Sequence, residues 1–162
     1  MSYPESLAPV AKEIDEVLNL ENFHLVDAKV GTGSRVPLVK LLVDLEDRFI
    51  TIDDCAGLSK RIGEILDRSG CFPRGYRLEV SSPGMSHHLR ESWEFRKHLD
   101  RKLRIYYTEK EQMKEVEGHL LEIDSEGLVL KTAKSEINIL FKNLDHAKSV
   151  IDWHRHPSKK VG

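Results

Sequence analysis

The sequence of 162 residues has no apolar run near the ~20 residues that a bilayer-spanning helix requires. Its first residues also lack the basic and apolar regions of a signal peptide. Cysteine is scarce: Cys55 and Cys71 form no CxxC unit, so both are expected to be free thiols that pack as small apolar residues. These absences lead us to expect a cytoplasmic protein without a membrane segment.

Motifs for catalysis and for cofactors are also missing from the sequence. It contains no P-loop, no GxSxG elbow and no HExxH pair. The glycine-rich stretch 31–34 leads into a strand rather than a helix, which favours a hairpin turn over a phosphate cradle. Cys55 follows two aspartates that oppose thiolate formation, and the adjacent His87 and His88 lack a third ligand at metal-binding spacing. We therefore expect no enzyme activity, no metal and no cofactor.

The chain has little net charge, but its two halves differ. The formal charge of -2 and the pI of about 6.4 are far from those of a typical basic RNA-binding domain. Residues 1–80 carry 10 basic and 14 acidic side chains, whereas residues 81–162 carry 15 and 13 and hold seven of the eight histidines. This asymmetry indicates two surfaces with different partners.

The periodicity of the first half predicts an αββαβ unit. A helical stripe covers about residues 5–20, and alternating strands at 26–30 and 38–45 read as a hairpin. Thr51 is positioned to cap a second helix that ends at Ser69-Gly70, and a third strand follows. The strand-helix-strand crossover predicts parallel pairing, with both helices on one face of a three-stranded sheet.

The second half predicts an all-β unit, so the fold class is α+β. A short helix at 91–99 precedes strands at 102–108, 116–123, 128–131 and 137–141, and a last short strand at 148–152. Short strands with regular turns favour a small barrel of the SH3-like or Sm-like kind. The expected domains are 1–84 and 85–153, followed by a basic tail at 154–162 that either aids solubility or contacts phosphates.

A basic segment in the second half is the main candidate for binding nucleic acid. Its cations are Arg90, Arg96, Lys97, Arg101, Lys102 and Arg104. Trp93 and Phe95 lie among them, and an exposed aromatic ring can stack on a base. The alternative is that the two rings wedge the short helix against a domain core.

Residues 78–84, which read Leu-Glu-Val-Ser-Ser-Pro-Gly, form the most informative motif. The strand ends in Pro83-Gly84, where proline suits the first corner of a turn and glycine accepts the positive φ of the second. The motif resembles the signature of the RimP family of ribosome maturation factors, in which a pattern close to Leu-Asp-Arg-Pro-Leu follows. Here Ser86-His87-His88 replaces Asp-Arg-Pro. The helix start at 52–55 and the stretch 141–147 are also similar to that family.

What the resemblance implies is a non-catalytic factor that binds the immature 30S subunit and assists its maturation. The expected partners are 16S rRNA and a small-subunit ribosomal protein, the latter through the C-terminal barrel, and a monomer is expected. At the motif tip, Ser81, Ser82 and Gly84 either fix how the domains are set or touch the ribosomal particle directly. Two other functions stay open: a stand-alone module for single-stranded RNA with an Sm-like barrel, and a small hydrolase built around Cys55.

Overall fold

The computed structural model describes residues 2–152 and divides the chain into two compact units, Met1–Pro83 and Gly84–Gly162. The basic tail expected at 154–162 and residue 153, the expected end of the barrel domain, lie outside the described residues. Within residues 2–152, no helix is both long enough and apolar enough to span a bilayer. The two units have separate hydrophobic cores.

The N-terminal unit is a three-stranded sheet with two α-helices. In chain order its elements are α1 (Ala11–Leu20), β1 (His24–Gly31), β2 (Leu38–Asp44), α2 (Ile52–Ser69) and β3 (Arg77–Ser81), with a 3₁₀ helix at Glu5–Val10 before α1. The sheet order is β1-β2-β3, in which β1 and β2 are antiparallel and β2 and β3 are parallel. This confirms the hairpin and the crossover expected from the sequence.

The core of this unit lies on one face of the central strand. Val39, Leu41 and Val43 alternate along β2 and are fully buried. The apolar stripes of both helices join the same core, through Ile14 on α1 and Ile62 on α2 among others. Leu78 and Val80 of β3 pack against it as well. Strand β3, which carries the sequence motif, is therefore held in place by packing against the core.

Helix α2 begins with a capping box and ends with a left-handed glycine. The Thr51 hydroxyl accepts from the Asp54 amide at 3.1 Å, and the Asp54 carboxylate accepts from the Thr51 amide at 2.7 Å. The Arg48 guanidinium donates to both Asp54 oxygens, which holds the pKa of that carboxyl well below its usual range. Gly70 closes the helix with φ 75°. Both expected helix signals are confirmed.

Two local features of this unit differ from the sequence expectation. The first turn before α1 is a 3₁₀ helix rather than α-helix, because Pro9 has no amide hydrogen to donate in that turn. In β1 the pairing shifts between Leu25 and Asp27, so Leu25 rather than Val26 shares the core face with Ala28. One extra residue in a strand reverses the alternation beyond it.

The C-terminal unit is a five-stranded antiparallel sheet. Its strands are β4 (Lys102–Glu109), β5 (Gln112–Ile123), β6 (Gly127–Lys131), β7 (Glu136–Leu140) and β8 (Leu144–Ser149), in the order β7-β6-β5-β4-β8. Leu103 and Ile105 of β4, Leu120 of β5 and Leu130 of β6 are fully buried and form its core with Phe95. The mixed α+β composition is thereby confirmed, and closure as an SH3-like barrel stays a prediction.

Three boundaries in this unit differ from those expected. The segment 91–99 forms two 3₁₀ helices, Ser92–Glu94 and Arg96–His98, instead of one helix. Strand β5 begins at Gln112, because the turn before it is only Lys110-Glu111, both with positive φ. The last strand is 144–149 rather than 148–152, since Ala147 is the residue that faces the core. The ends of these strands are polar and exposed, so the alternation of apolar and polar residues did not predict where the strands begin and end.

Candidate nucleic-acid interface

The motif predicts a turn at Pro83-Gly84, but the turn that leads into the C-terminal unit comes directly after these two residues. The Gly84 carbonyl accepts from the His87 amide at 3.0 Å, so the reversal lies over Met85-Ser86. Gly84 does not have a positive φ, so the expected second corner at this residue is wrong. Two backbone hydrogen bonds of 2.8 Å between Leu89 and Ala147 explain the difference, because they tie the segment to β8, far along the chain.

A buried carboxylate holds this entering segment in place. Glu94 is only 3% exposed, and its Oε2 accepts from the amides of Arg90 at 2.8 Å and Glu91 at 2.9 Å. His87 Nε2 donates to the other oxygen, Oε1, at 2.7 Å. Phe95, beside Glu94, is fully buried and its ring lies 5.7 Å from that of Phe141. Phe95 therefore packs in the core of the C-terminal unit, which is one of the two roles predicted for its ring.

The outer face of β4 carries two of the sequence-predicted cations, each beside an acid. Lys102 and Arg104 alternate with the buried Leu103 and Ile105 and so point away from the core. Arg104 Nε donates to Glu117 Oε2 at 2.8 Å across the strand pair, and Lys102 Nζ lies 3.7 Å from Glu117 Oε1. Exposed ion pairs of this kind contribute little to stability. They also offset part of the positive charge available to a phosphate.

Three rings stack on one another beside these cations. The His146 ring on β8 lies 4.4 Å from the Tyr106 ring on β4, with an interplanar angle of 16°. On the other side it lies 4.3 Å from the His88 ring, at 20°. His146 Nδ1 donates to Asp145 Oδ2 at 2.6 Å, which fixes the orientation of the central ring. We call the rings of His88, His146 and Tyr106 the ring column.

A cation accompanies each end of the ring column. The Arg90 guanidinium donates to His88 Nδ1 at 3.3 Å, and Lys148 Nζ lies 5.7 Å from the centroid of the Tyr106 ring. Within residues 2–152, neither Arg90 nor Lys148 has a carboxylate within ion-pair distance. These two cations are therefore less neutralised than Lys102 and Arg104.

The local field at the His88 end of the column is positive. Desolvation lowers the pKa of His88, and the nearby His146 and the cations Lys148 and Arg90 lower it further. Because Arg90 can only donate, His88 Nδ1 must be unprotonated where it accepts this bond. At neutral pH the His88 ring is thus mainly an uncharged flat surface with cations around it.

The remaining predicted site residues lie elsewhere or on separate elements. Arg96 is exposed and Lys97 places Nζ 5.8 Å from the Trp93 ring, both near the second 3₁₀ helix, and Arg101 precedes β4. Ser81 ends β3 opposite Leu42 and is half-buried, and the next residue, Ser82, is exposed. The structure thus places Arg90 at the ring column, and Lys102 and Arg104 lie on the same face of β4 as Tyr106. Ser81 and Ser82 belong to the other unit.

His88 was weighed only as a metal ligand, and three further members of the cluster were missed by sequence reasoning. Tyr106 follows the same outward alternation as Lys102 and Arg104, and this signal was available in the sequence. His146 and Lys148 were missed because the last strand was expected to begin at residue 148. Their side chains meet the entering segment only through the pairing of Leu89 with Ala147. No local pattern in the sequence reveals that pairing.

The residues weighed as candidates for catalysis or phosphate binding have ordinary surroundings. Ser34 Oγ donates to the Val36 carbonyl at 2.7 Å inside the β1–β2 loop, as expected of a hairpin turn. Cys55 is half-buried, less than its place on the helical stripe suggested, and desolvation together with Asp54 raises the pKa of its thiol. Across residues 2–152, no three His, Cys, Asp or Glu side chains cluster in a way that could hold a metal ion.

A comparison with known protein families finds a match to the N-terminal half of the chain. Residues 13–86 fit the family described as the RimP N-terminal domain. The matched range runs from within α1 through β3 and the motif turn, so it covers the αββαβ unit and ends just before His87. This confirms the family resemblance that the motif indicated. All three residues of the ring column lie beyond the matched range, so the family match gives no information about them.

Proposed function

This chain belongs to the RimP family of ribosome maturation factors through its N-terminal domain, and we propose that it acts as a non-catalytic assembly factor. Its target is the immature 30S subunit, where it binds 16S rRNA and a small-subunit ribosomal protein. The observation that carries the proposal is the match over residues 13–86, which includes the strand and turn of the sequence motif. The protein works as a cytoplasmic monomer and alters no bond in its target.

The C-terminal unit supplies the second contact in this proposal. Its five-stranded sheet closes as an SH3-like or Sm-like barrel spanning residues 85–153, and it docks on a small-subunit protein. The buried cores of the two units support separate binding surfaces, because each unit is stabilised by its own apolar residues. The acidic first half and the more basic second half are consistent with two partners of different charge.

The physical mechanism is a shift of population in the assembling particle. A factor that binds the near-mature arrangement about 100-fold more tightly than misfolded ones shifts their equilibrium about 100-fold, or about 2.7 kcal/mol. No chemical step is required, because the difference in binding free energy alone shifts the equilibrium.

Depletion of the protein in its own cells tests the proposal. We expect precursor 16S rRNA to accumulate and free 30S and 50S particles to increase relative to 70S ribosomes, and the wild-type gene to reverse both effects. Gradient profiles and primer extension across the 16S ends measure them. A normal gradient and mature 16S ends after complete depletion would contradict an assembly role.

A stand-alone RNA-binding module is the second candidate function, and the ring column with its unneutralised cations favours it. The two functions differ in their target. A stand-alone module binds short oligonucleotides tightly without any ribosomal particle, whereas an assembly factor needs the particle for high affinity.

A further inference from the structure

We propose that the ring column, together with Arg90 and Lys148, is a binding site for an unpaired segment of RNA. A base stacks on the His88 end of the column, and the two cations contact the flanking phosphates. This inference deepens the proposed function, on which it rests for the identity of the RNA as rRNA. The site lies in the C-terminal unit and outside the range matched by the family.

The geometry of the rings supports stacking. Centroid separations of 4.3 and 4.4 Å with angles of 20° and 16° make a nearly parallel column, and a base continues such a column with a fourth flat ring. In residues 2–152, no further ring stacks on His88 beyond His146. The Arg90 contact reaches a nitrogen in the plane of the His88 ring and so leaves the ring faces uncovered by that bond.

The charges favour a nucleic acid over an acidic peptide or an apolar partner. The lysine and arginine side chains that lower the pKa of His88 are the cations Lys148 and Arg90. The nearby acids already have partners, since Asp145 accepts from His146 and Glu117 is held by Arg104 and Lys102. A column of flat rings with a cation at each end can take up a base together with the phosphates that flank it along a single strand.

The column is also built on rigid supports, which lowers the cost of ordering it on binding. Tyr106 and His146 lie opposite each other on paired strands, and His88 lies between two residues that are tied down. Leu89 is hydrogen-bonded to Ala147, and His87 is hydrogen-bonded to the buried Glu94. Preorganised side chains lose less rotamer freedom when a ligand binds.

The substitution of Ser86-His87-His88 for the family's Asp-Arg-Pro has a physical consequence here. His87 pairs with Glu94 and so anchors the segment, whereas His88 supplies the end ring of the column. His88 therefore contributes a flat stacking surface, which a proline at this position would not provide. The site is then a property of this chain rather than of the family pattern.

Fluorescence anisotropy with a labelled, unstructured 12-nucleotide RNA tests the site in the full-length protein. His88→Ala is expected to weaken binding about tenfold, because stacking of one base contributes about that much. His88→Phe keeps a flat ring and is expected to bind within about threefold of wild type. Thermal unfolding of both variants checks that they fold. Equal affinity of His88→Ala and wild type, or no binding of wild type at all, overturns the proposal.

The salt dependence tests the two cations separately. For single strands, each phosphate contact adds about 0.7 to the slope of log affinity against log salt, so Arg90→Gln with Lys148→Gln lowers that slope by about 1.4. The control removes the same number of positive charges from two exposed lysines, Lys134→Gln with Lys142→Gln, and is expected to leave the slope unchanged. Equal losses in both double variants would overturn the site, because they would indicate diffuse charge.

Binding of the same variants to purified 30S particles separates this inference from the proposed function. Weaker binding of His88→Ala to both RNA and 30S supports the site. If His88→Ala binds RNA as wild type does but loses 30S affinity, the surface contacts a protein and the RNA site is overturned. If wild type binds RNA through His88 yet ignores 30S, the RNA site is supported and the assembly role fails.

Discussion

Gly118→Ala is expected to destabilise the C-terminal unit by about 3 kcal/mol while the N-terminal unit stays folded. Gly118 lies on β5, and a Cβ at this position would be 2.4 Å from the Lys131 carbonyl oxygen and 2.8 Å from its carbonyl carbon. These are backbone atoms of β6, so the strand itself must move. A unit of this size has a free energy of unfolding of only about 4–10 kcal/mol, so such a loss is large.

Two signals can follow the units separately. The two α-helices found in residues 2–152 belong to the N-terminal unit, so ellipticity at 222 nm reports mainly on it, whereas both tryptophans lie in the second half of the chain. Gly57→Ala is the matched control, because within the described residues no atom lies within 4 Å of a Cβ at that helical position. It is expected to stabilise α2 by up to about 1 kcal/mol. Loss of both signals together in Gly118→Ala would contradict two independent cores.

Glu94→Ala is expected to cost about 3 kcal/mol and to loosen the segment that carries His88. The substitution leaves the amides of Arg90 and Glu91 and the ring of His87 without their acceptor. Each lost bond to a charged group costs about 1.5–3 kcal/mol, offset in part by water that reaches the partly buried amides. RNA affinity is then expected to fall as well, since His88 follows directly after His87.

Glu94→Gln distinguishes the hydrogen bonds from the charge. Its carbonyl oxygen can still accept from both amides, and its NH₂ group can donate to His87 if that ring changes tautomer. We therefore expect a loss below about 1.5 kcal/mol in urea unfolding followed by tryptophan fluorescence. Glu136→Ala, an exposed glutamate on β7, is the control and should change stability by less than about 0.5 kcal/mol. A Glu94→Ala protein as stable as this control would show that Glu94 anchors nothing.

The N-terminal unit could be predicted closely because its signals are local. Thr51 and Gly70 mark the ends of α2, and the alternation of Val39, Leu41 and Val43 fixes the buried face of β2. The bulge after Leu25 could not be predicted, because a strand with one extra residue has the same composition as one without it. The family match over 13–86 covers the same part of the chain.

The C-terminal unit was predictable in its order of strands but not in its edges. A wide turn was expected before β5, because Lys110-Glu111 contains neither the glycine nor the asparagine that tight hairpin turns favour. The structure instead forms a two-residue turn there, in which both residues have positive φ. The candidate site was only half visible. Arg90 was found because it lies among other cations in the sequence, but Lys148 was missed, and the ring column joins three separate segments through the pairing of β4, β8 and Leu89. Such contacts depend on tertiary structure that periodicity does not encode.

The central claim is that this protein recognises the small ribosomal subunit, and sedimentation with purified particles tests it most directly. Full-length protein is centrifuged with 30S, 50S or 70S particles at two salt concentrations. We predict that it pellets with 30S, that less of it pellets at the higher salt, and that it stays in the supernatant with 50S. Protein that remains in the supernatant with 30S, or that pellets equally with all three particles, would contradict the account.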